Sequence, residues 1–134
     1  METPDILIVD DDSDLRRTLV LLLGKTYRVA EAAGGPEALR VLEDSRPRLI
    51  LLDVAMPEMS GIDVLRALSE RREKPRVVML TSHTEIELAK TALDLGAVEY
   101  LTKPFDADYI RAEVARLLAP PPEMNGGRPW RVAP

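Results

Sequence analysis

The sequence predicts an α/β protein in which a parallel sheet is covered by helices on both faces. Two observations predict it. Strand-like and helix-like segments alternate five times along the chain. The strand-like segments are short, nearly continuous apolar runs, as expected of parallel strands buried on both sides. A βα pattern repeated in this way implies right-handed crossovers and a doubly wound sheet.

The elements follow in order. Ile6-Leu7-Ile8-Val9 is the first strand. Leu15, Leu19, Leu22 and Leu23 then recur at helical spacing, with Ser13 as the expected N-cap and Gly24 as the stop. Tyr27 to Glu31 alternates as a short second strand. Gly35-Pro36 opens a second helix whose stripe is Ala38, Val41 and Leu42, with proline suited to the first helical position. Arg48 to Leu52 is the third strand, and Val54 to Gly61 is a loop by its proline and glycine. Ile62, Leu65 and Leu68 mark a third helix, with Pro75 as its breaker and strand four beyond. Thr84 and Glu87 suggest a capping box for a fourth helix with stripe Ile86, Ala89 and Leu93, closed by Gly96. Val98 to Leu101 is the fifth strand, and Asp106 caps a last helix with Ile110, Val114 and Leu117 inward.

Composition bounds the function. The 134 residues suit one domain. A formal net charge of −5 argues against non-specific nucleic-acid binding by this domain. Without cysteine, and with one histidine, neither disulfides nor thiolate or His-rich metal sites can form. No apolar stretch approaches the ~20 residues that span a bilayer. The N-terminus lacks the features of a signal peptide, so a cytoplasmic location is expected. From Pro120 the chain turns Pro- and Gly-rich, which divides it into a folded domain (1–119) and a tail or linker (120–134) expected to be disordered, with Trp130 as an exposed tail residue.

Four of the apolar runs end in groups fit for phosphate chemistry. They lead into Asp10-Asp11-Asp12, Asp53, Thr81-Ser82 and Lys103-Pro104. A parallel sheet places all strand C-termini along one edge, and ligands bind there at the point where strand order reverses. Clustered carboxylates with oxygen ligands alone favour a hard cation, and Mg²⁺ is the expected one. The spacing of Asp10-Asp11-Asp12-Ser13-Asp14 does not fit a calcium-binding EF-hand loop. A carboxylate such as Asp53 can attack phosphorus to form an acyl phosphate, with Lys103 pairing with a phosphoryl oxygen and Thr81 donating to another. Asp12 and Asp14 read as helix caps or turn residues, Ser82 and Thr102 as caps or neighbours, and His83 as an exposed loop residue rather than a metal ligand.

In these residues the chain resembles the response-regulator receiver domains of two-component signalling, close in kind to chemotaxis regulators. The matching motifs are Val9-Asp10-Asp11, Leu52-Asp53 through Met56-Pro57-Glu58-Met59-Ser60-Gly61, Leu80-Thr81-Ser82, and Gly96 through Tyr100-Leu101-Thr102-Lys103-Pro104-Phe105. The resemblance implies a flavodoxin-like (βα)5 fold with strand order 2-1-3-4-5. It implies that Asp53 becomes the 4-aspartylphosphate. It also implies that Asp11, Asp53 and the Ala55 main-chain carbonyl hold Mg²⁺, with Asp10 assisting through water. Thr81 and Tyr100 would be the switch pair, Lys103 the phosphate-pairing lysine, and Pro104 a cis-proline. Ala55 and His83 fall where members of the family tune the phosphate lifetime.

The implied partners are a sensor histidine kinase or phosphotransfer protein and a downstream effector or attached output domain. Room is left for a phosphorylation-dependent homodimer, and neither nucleic acid nor membrane is expected to be bound directly. Such a domain is not an enzyme beyond its own phosphorylation and autodephosphorylation. A non-phosphorylated pseudo-receiver is the first alternative, and it usually lacks an acid, the threonine or the lysine, all present here. The second is a phosphatase of the haloacid dehalogenase type, which needs an acid where Ala55 stands.

Overall fold

The computed structural model describes residues 3–119, together with 124–125 and 128–129. Five strands, β1 (Ile6–Val9), β2 (Val29–Ala32), β3 (Leu49–Asp53), β4 (Arg76–Thr81) and β5 (Glu99–Thr102), form one parallel sheet in the order β2-β1-β3-β4-β5. Five helices connect or follow them: α1 (Ser13–Leu23), α2 (Gly35–Asp44), α3 (Gly61–Ser69), α4 (Ile86–Asp94) and α5 (Ala107–Leu118). The doubly wound fold and strand order expected from the sequence are those observed.

Two cores explain why the strands are apolar throughout. Successive residues of a strand face opposite sides. Ile6 and Ile8, Leu49 and Leu51, and Val78 and Leu80 pack against α1 and α5, through Leu19, Leu23, Ile110 and Val114. Leu7 and Val9, Ile50 and Leu52, and Val77 and Met79 pack on the other side with Leu42 of α2, Leu65 and Leu68 of α3, and Ala92 of α4. A polar residue on either strand face would be buried without a partner.

Several boundaries differ from the sequence expectations, each for a local reason. The N-cap of α1 is Asp12, one of the two roles its position in the sequence offers it, and not Ser13, because the Asp12 carboxylate accepts from the backbone of both Asp14 and Leu15. The capping box forms between Ser82 and Glu85 rather than Thr84 and Glu87. It closes a single 3-10 turn, His83–Glu85, and delays the start of α4 to Ile86. The inward face of α4 is then Ala89 and Ala92, while Leu93 is 37% exposed. Helix α3 stops at Ser69, well before Pro75, so the proline precedes β4 and does not break the helix. Gly96 (φ +115°) supplies the left-handed turn after α4, and Asp106 caps α5 through the Tyr109 amide.

Beyond residue 119, Met124–Asn125 (β6) and Arg128–Pro129 (β7) pair antiparallel. The rest of the 120–134 tail, Trp130 included, lies outside the described residues. Among the described residues no helix is long and apolar enough to cross a membrane.

Candidate functional site

Strand order reverses between β1 and β3, and the C-terminal ends of these two strands deliver Asp10, Asp11 and Asp53 to one place. Carboxylate oxygens of the three lie within 4.8 Å of one another. Asp10 is fully buried, Asp53 is 4% exposed, and Asp11 is exposed. Lys103, just past β5, reaches across the sheet edge. Its Nζ lies 3.2 Å from Asp10 Oδ2 and 3.4 Å from Asp53 Oδ1. The backbone N–H of Lys103 donates to the Thr81 carbonyl at 2.7 Å, which ties the lysine to the end of β4.

Two of the three acids, Asp10 and Asp53, are each held by the turn that follows. Asp10 Oδ1 accepts from the Asp12 amide at 2.9 Å. Asp53 Oδ1 accepts a long hydrogen bond (3.4 Å) from the Ala55 amide. Ala55 itself is exposed. The Thr81 side chain is fully buried, and its hydroxyl donates to the Ser82 carbonyl at 3.1 Å rather than to Asp53. Tyr100 pairs with Met79 across β4 and β5 and is half-buried against the α2–α4 core. The Lys103–Pro104 peptide is cis, as the resemblance implied. His83 lies in the 3-10 turn, and the exposure expected of its side chain falls outside the described residues.

The electrostatics are unbalanced. Three carboxylates face one ammonium. Burial, and then the charge of Asp10, push the Asp53 carboxyl up to about 7 against the opposing pull of Lys103 and the Ala55 amide. For Lys103 burial works downward, but the charges of Asp53 and Asp10 outweigh it and raise its pKa. Asp10 Oδ2 is buried and receives no aligned hydrogen bond, although the Lys103 ammonium lies beside it. A buried carboxylate oxygen with no aligned hydrogen bond, in an all-oxygen set with surplus negative charge, fits a hard divalent cation. Asp10, Asp11 and Asp53 supply side-chain oxygens for one.

Three supporting features were not legible beforehand. A Cβ on Gly61 would lie 2.1 Å from the Asp53 carbonyl oxygen, so only glycine lets α3 start this close to the end of β3. Glu58 adopts φ +70° between Pro57 and Met59, whose carbonyl and amide hydrogen-bond at 2.7 Å in a tight turn. Arg16 donates from Nη1 to the Asp10 carbonyl (2.6 Å) and from Nε to Glu31 of β2 (2.7 Å). The PEMSG stretch hinted at the first two. Nothing in sequence spacing links Arg16 to Glu31.

A doubly wound sheet with three acids at its switch point and a lysine reaching across to two of them defines a class of α/β domains with an acidic site at the sheet edge. The comparisons agree on the class and give the family. The model of the "Response regulator receiver domain" family matches residues 6–115, and the chain belongs to that family. It is 37% identical over 119 residues to sporulation initiation phosphotransferase F of Bacillus subtilis, covering 88% of this chain and 96% of that protein. It is 37% identical over 114 residues to the regulatory protein AtoC of Escherichia coli, covering 84% of this chain but only 25% of that longer protein. Among solved structures, the receiver domain of NtrX from Brucella abortus superposes with a TM-score of 0.80 at 32% identity, covering 85% of this chain and 98% of that one. The protein is thus a receiver domain of two-component response regulators.

Proposed function

We propose that this receiver takes a phosphoryl group onto Asp53 from a phosphohistidine of a sensor kinase or phosphotransfer protein. The observation that carries the reading is the convergence of Asp53, Asp10 and Lys103 within 3.2–3.4 Å contacts at the switch point. Asp53 Oδ1 is tethered by Lys103 and the Ala55 amide, so Oδ2 is the oxygen presented for attack on phosphorus. The P–N bond of the donor breaks as the P–O bond forms, and the donor imidazole leaves with the electron pair. Lys103, already placed beside Asp53, pairs with a phosphoryl oxygen as charge builds there. Mg²⁺, held by Asp10, Asp11, Asp53 and the Ala55 carbonyl, would neutralise the carboxylates and draw in phosphoryl oxygens.

The Thr81 hydroxyl, now spent on the Ser82 carbonyl, turns to the new phosphoryl group. Tyr100 moves inward behind it and re-presents the α4–β5–α5 face to an effector or output domain, or to a second copy. The donor must bring its histidine to Asp53. A groove of about 470 Å³ adjoins the site at Lys103 and Asp12, lined by Leu15, Leu19, Leu22 and Phe105, and we place the donor there. Residues 1–119 constitute the receiver in this reading, and 120–134 serve as a tail or linker.

The test is incubation with Mg²⁺ and a small-molecule phosphodonor, followed by intact-mass measurement. One phosphoryl mass is expected on the wild-type chain and none on Asp53→Asn or in chelator. Undiminished labelling of Asp53→Asn would remove the assignment.

A further inference from the structure

We infer that Arg16, oriented by Glu31, is a positioning residue for the metal ligand Asp11, acting through the Asp10–Asp11 peptide plane. The inference rests on the Mg²⁺ reading of the site and adds to it a residue that touches neither metal nor phosphate.

The argument starts from how unequally the three acids are tethered. The Asp10 carboxylate has the Asp12 amide and Lys103, and the Asp53 carboxylate has Lys103 and the Ala55 amide. Asp11 is exposed, and among the described residues no hydrogen bond or ion pair reaches its side chain. Its direction is therefore set by the backbone on either side. On the C-terminal side the helix cap fixes that backbone, with the Asp12 amide on Asp10 Oδ1 and the Asp12 carbonyl accepting from the Arg16 amide at 2.9 Å. On the N-terminal side the peptide joining Asp10 to Asp11 presents its carbonyl to Arg16 Nη1 at 2.6 Å.

That bond pins the rotation of the peptide plane from which Asp11 departs. The Asp10 amide already pairs with the Ala32 carbonyl at 3.2 Å, so Arg16 supplies the remaining constraint. The guanidinium is itself held. Its Nε donates to Glu31 Oε1 at 2.7 Å, and the Arg16 side chain is only 16% exposed. A planar fork that serves two acceptors at once loses little freedom per bond. Glu31 lies beside Ile8 in the β1–β2 register, so the edge strand β2 sets where the fork points. Outer-shell partners of this kind typically change metal affinity by about 10–100-fold when removed. Because the Arg16 guanidinium bonds to the Asp10 carbonyl and Glu31, and not to Lys103 or Thr81, the groups that meet the phosphoryl oxygens, affinity and maximal phosphorylation should separate.

The experiment is Mg²⁺ titration of the ¹⁵N-labelled protein, following the amides of residues 10–12 and 53–55. Arg16→Ala is expected to raise the Mg²⁺ dissociation constant about tenfold, with Arg16→Lys recovering part of the loss. Glu31→Ala, at a half-exposed edge position that is safe for folding, should raise it about threefold. The Mg²⁺ concentration for half-maximal phosphorylation by a small-molecule donor should rise in parallel, while the plateau stays within about twofold. Wild-type affinity in both folded variants overturns the inference. So does a plateau that collapses with no change in affinity. If the wild-type amides fail to respond to Mg²⁺, or Asp11→Ala binds as tightly as wild type, the site reading itself has failed, and the two failures are distinct.

Discussion

Replacing Asp53 by Asn should stabilise the metal-free protein, and the gain should grow with pH. In the folded chain the Asp53 carboxyl is raised to about 7 from an ordinary value of 3.8, by burial first and the Asp10 charge second. Below the unfolded value both states hold the proton and the group has no effect. Between the two values the folded state keeps a proton that the unfolded chain has released. The contribution of Asp53 is therefore progressively lost as pH rises, and the loss is complete above the folded value. The full gap corresponds to about 4 kcal/mol. Water entry and coupling to Asp10 in a site at the sheet edge reduce what is realised to roughly 1–3 kcal/mol. Urea unfolding followed by circular dichroism, from pH 4.5 to 8.5 in chelator, reads the difference between Asp53→Asn and wild type. The single histidine is common to both chains and cancels. The difference should rise with pH and flatten near pH 8, and saturating Mg²⁺ should shrink it by favouring the ionised carboxylates. A difference that is flat or falls with pH would refute the electrostatic account of the site.

Other perturbations follow from the same geometry. Gly61→Ala places a methyl 2.1 Å from the Asp53 carbonyl, so β3 and α3 must part; urea melts should show a loss of about 2–4 kcal/mol, together with slower phosphorylation. Glu58→Gly relieves a positive φ and should gain about 1 kcal/mol in the same assay. Arg48 and Arg76 donate to the carbonyls of Leu118 and Leu117 at the C-terminus of α5. Removing both guanidiniums should lower stability by about 1–3 kcal/mol and speed amide exchange in the last turn of α5 ahead of the rest of the domain. Lys103→Met leaves Asp10 and Asp53 facing each other unpaired, so phosphorylation should slow sharply even at saturating Mg²⁺. A rate within twofold of wild type would count against the role of Lys103.

What could be read in advance, and what could not, divides along a physical line. The continuous apolar runs of β1, β3 and β4 announced strands covered on both faces, because only burial on two sides removes the polar alternation. Reactive residues at the ends of those runs announced a site, because parallel strands end together. Local competition was harder to see. Asp12 against Ser13, and Ser82–Glu85 against Thr84–Glu87, are choices among neighbouring caps of similar strength, which residue type and spacing do not separate. The exposure of Leu93 was a further choice, since the docked helix turns Ala89 and Ala92 inward.

Sequence by itself determined the architecture, the acids, the hydroxyl and the lysine, since each depends on residue type and on short spacing. Tertiary structure alone decided the interactions between segments far apart in the chain. It placed Lys103 between Asp10 and Asp53, buried Asp53 beside the Asp10 charge so that its carboxyl rises to about 7, and left Asp10 Oδ2 with no aligned hydrogen bond. It also brought Arg16 of α1 between the Asp10 carbonyl and Glu31 of β2. Such contacts depend on distances and burial set by the sheet, and no local pattern encodes them.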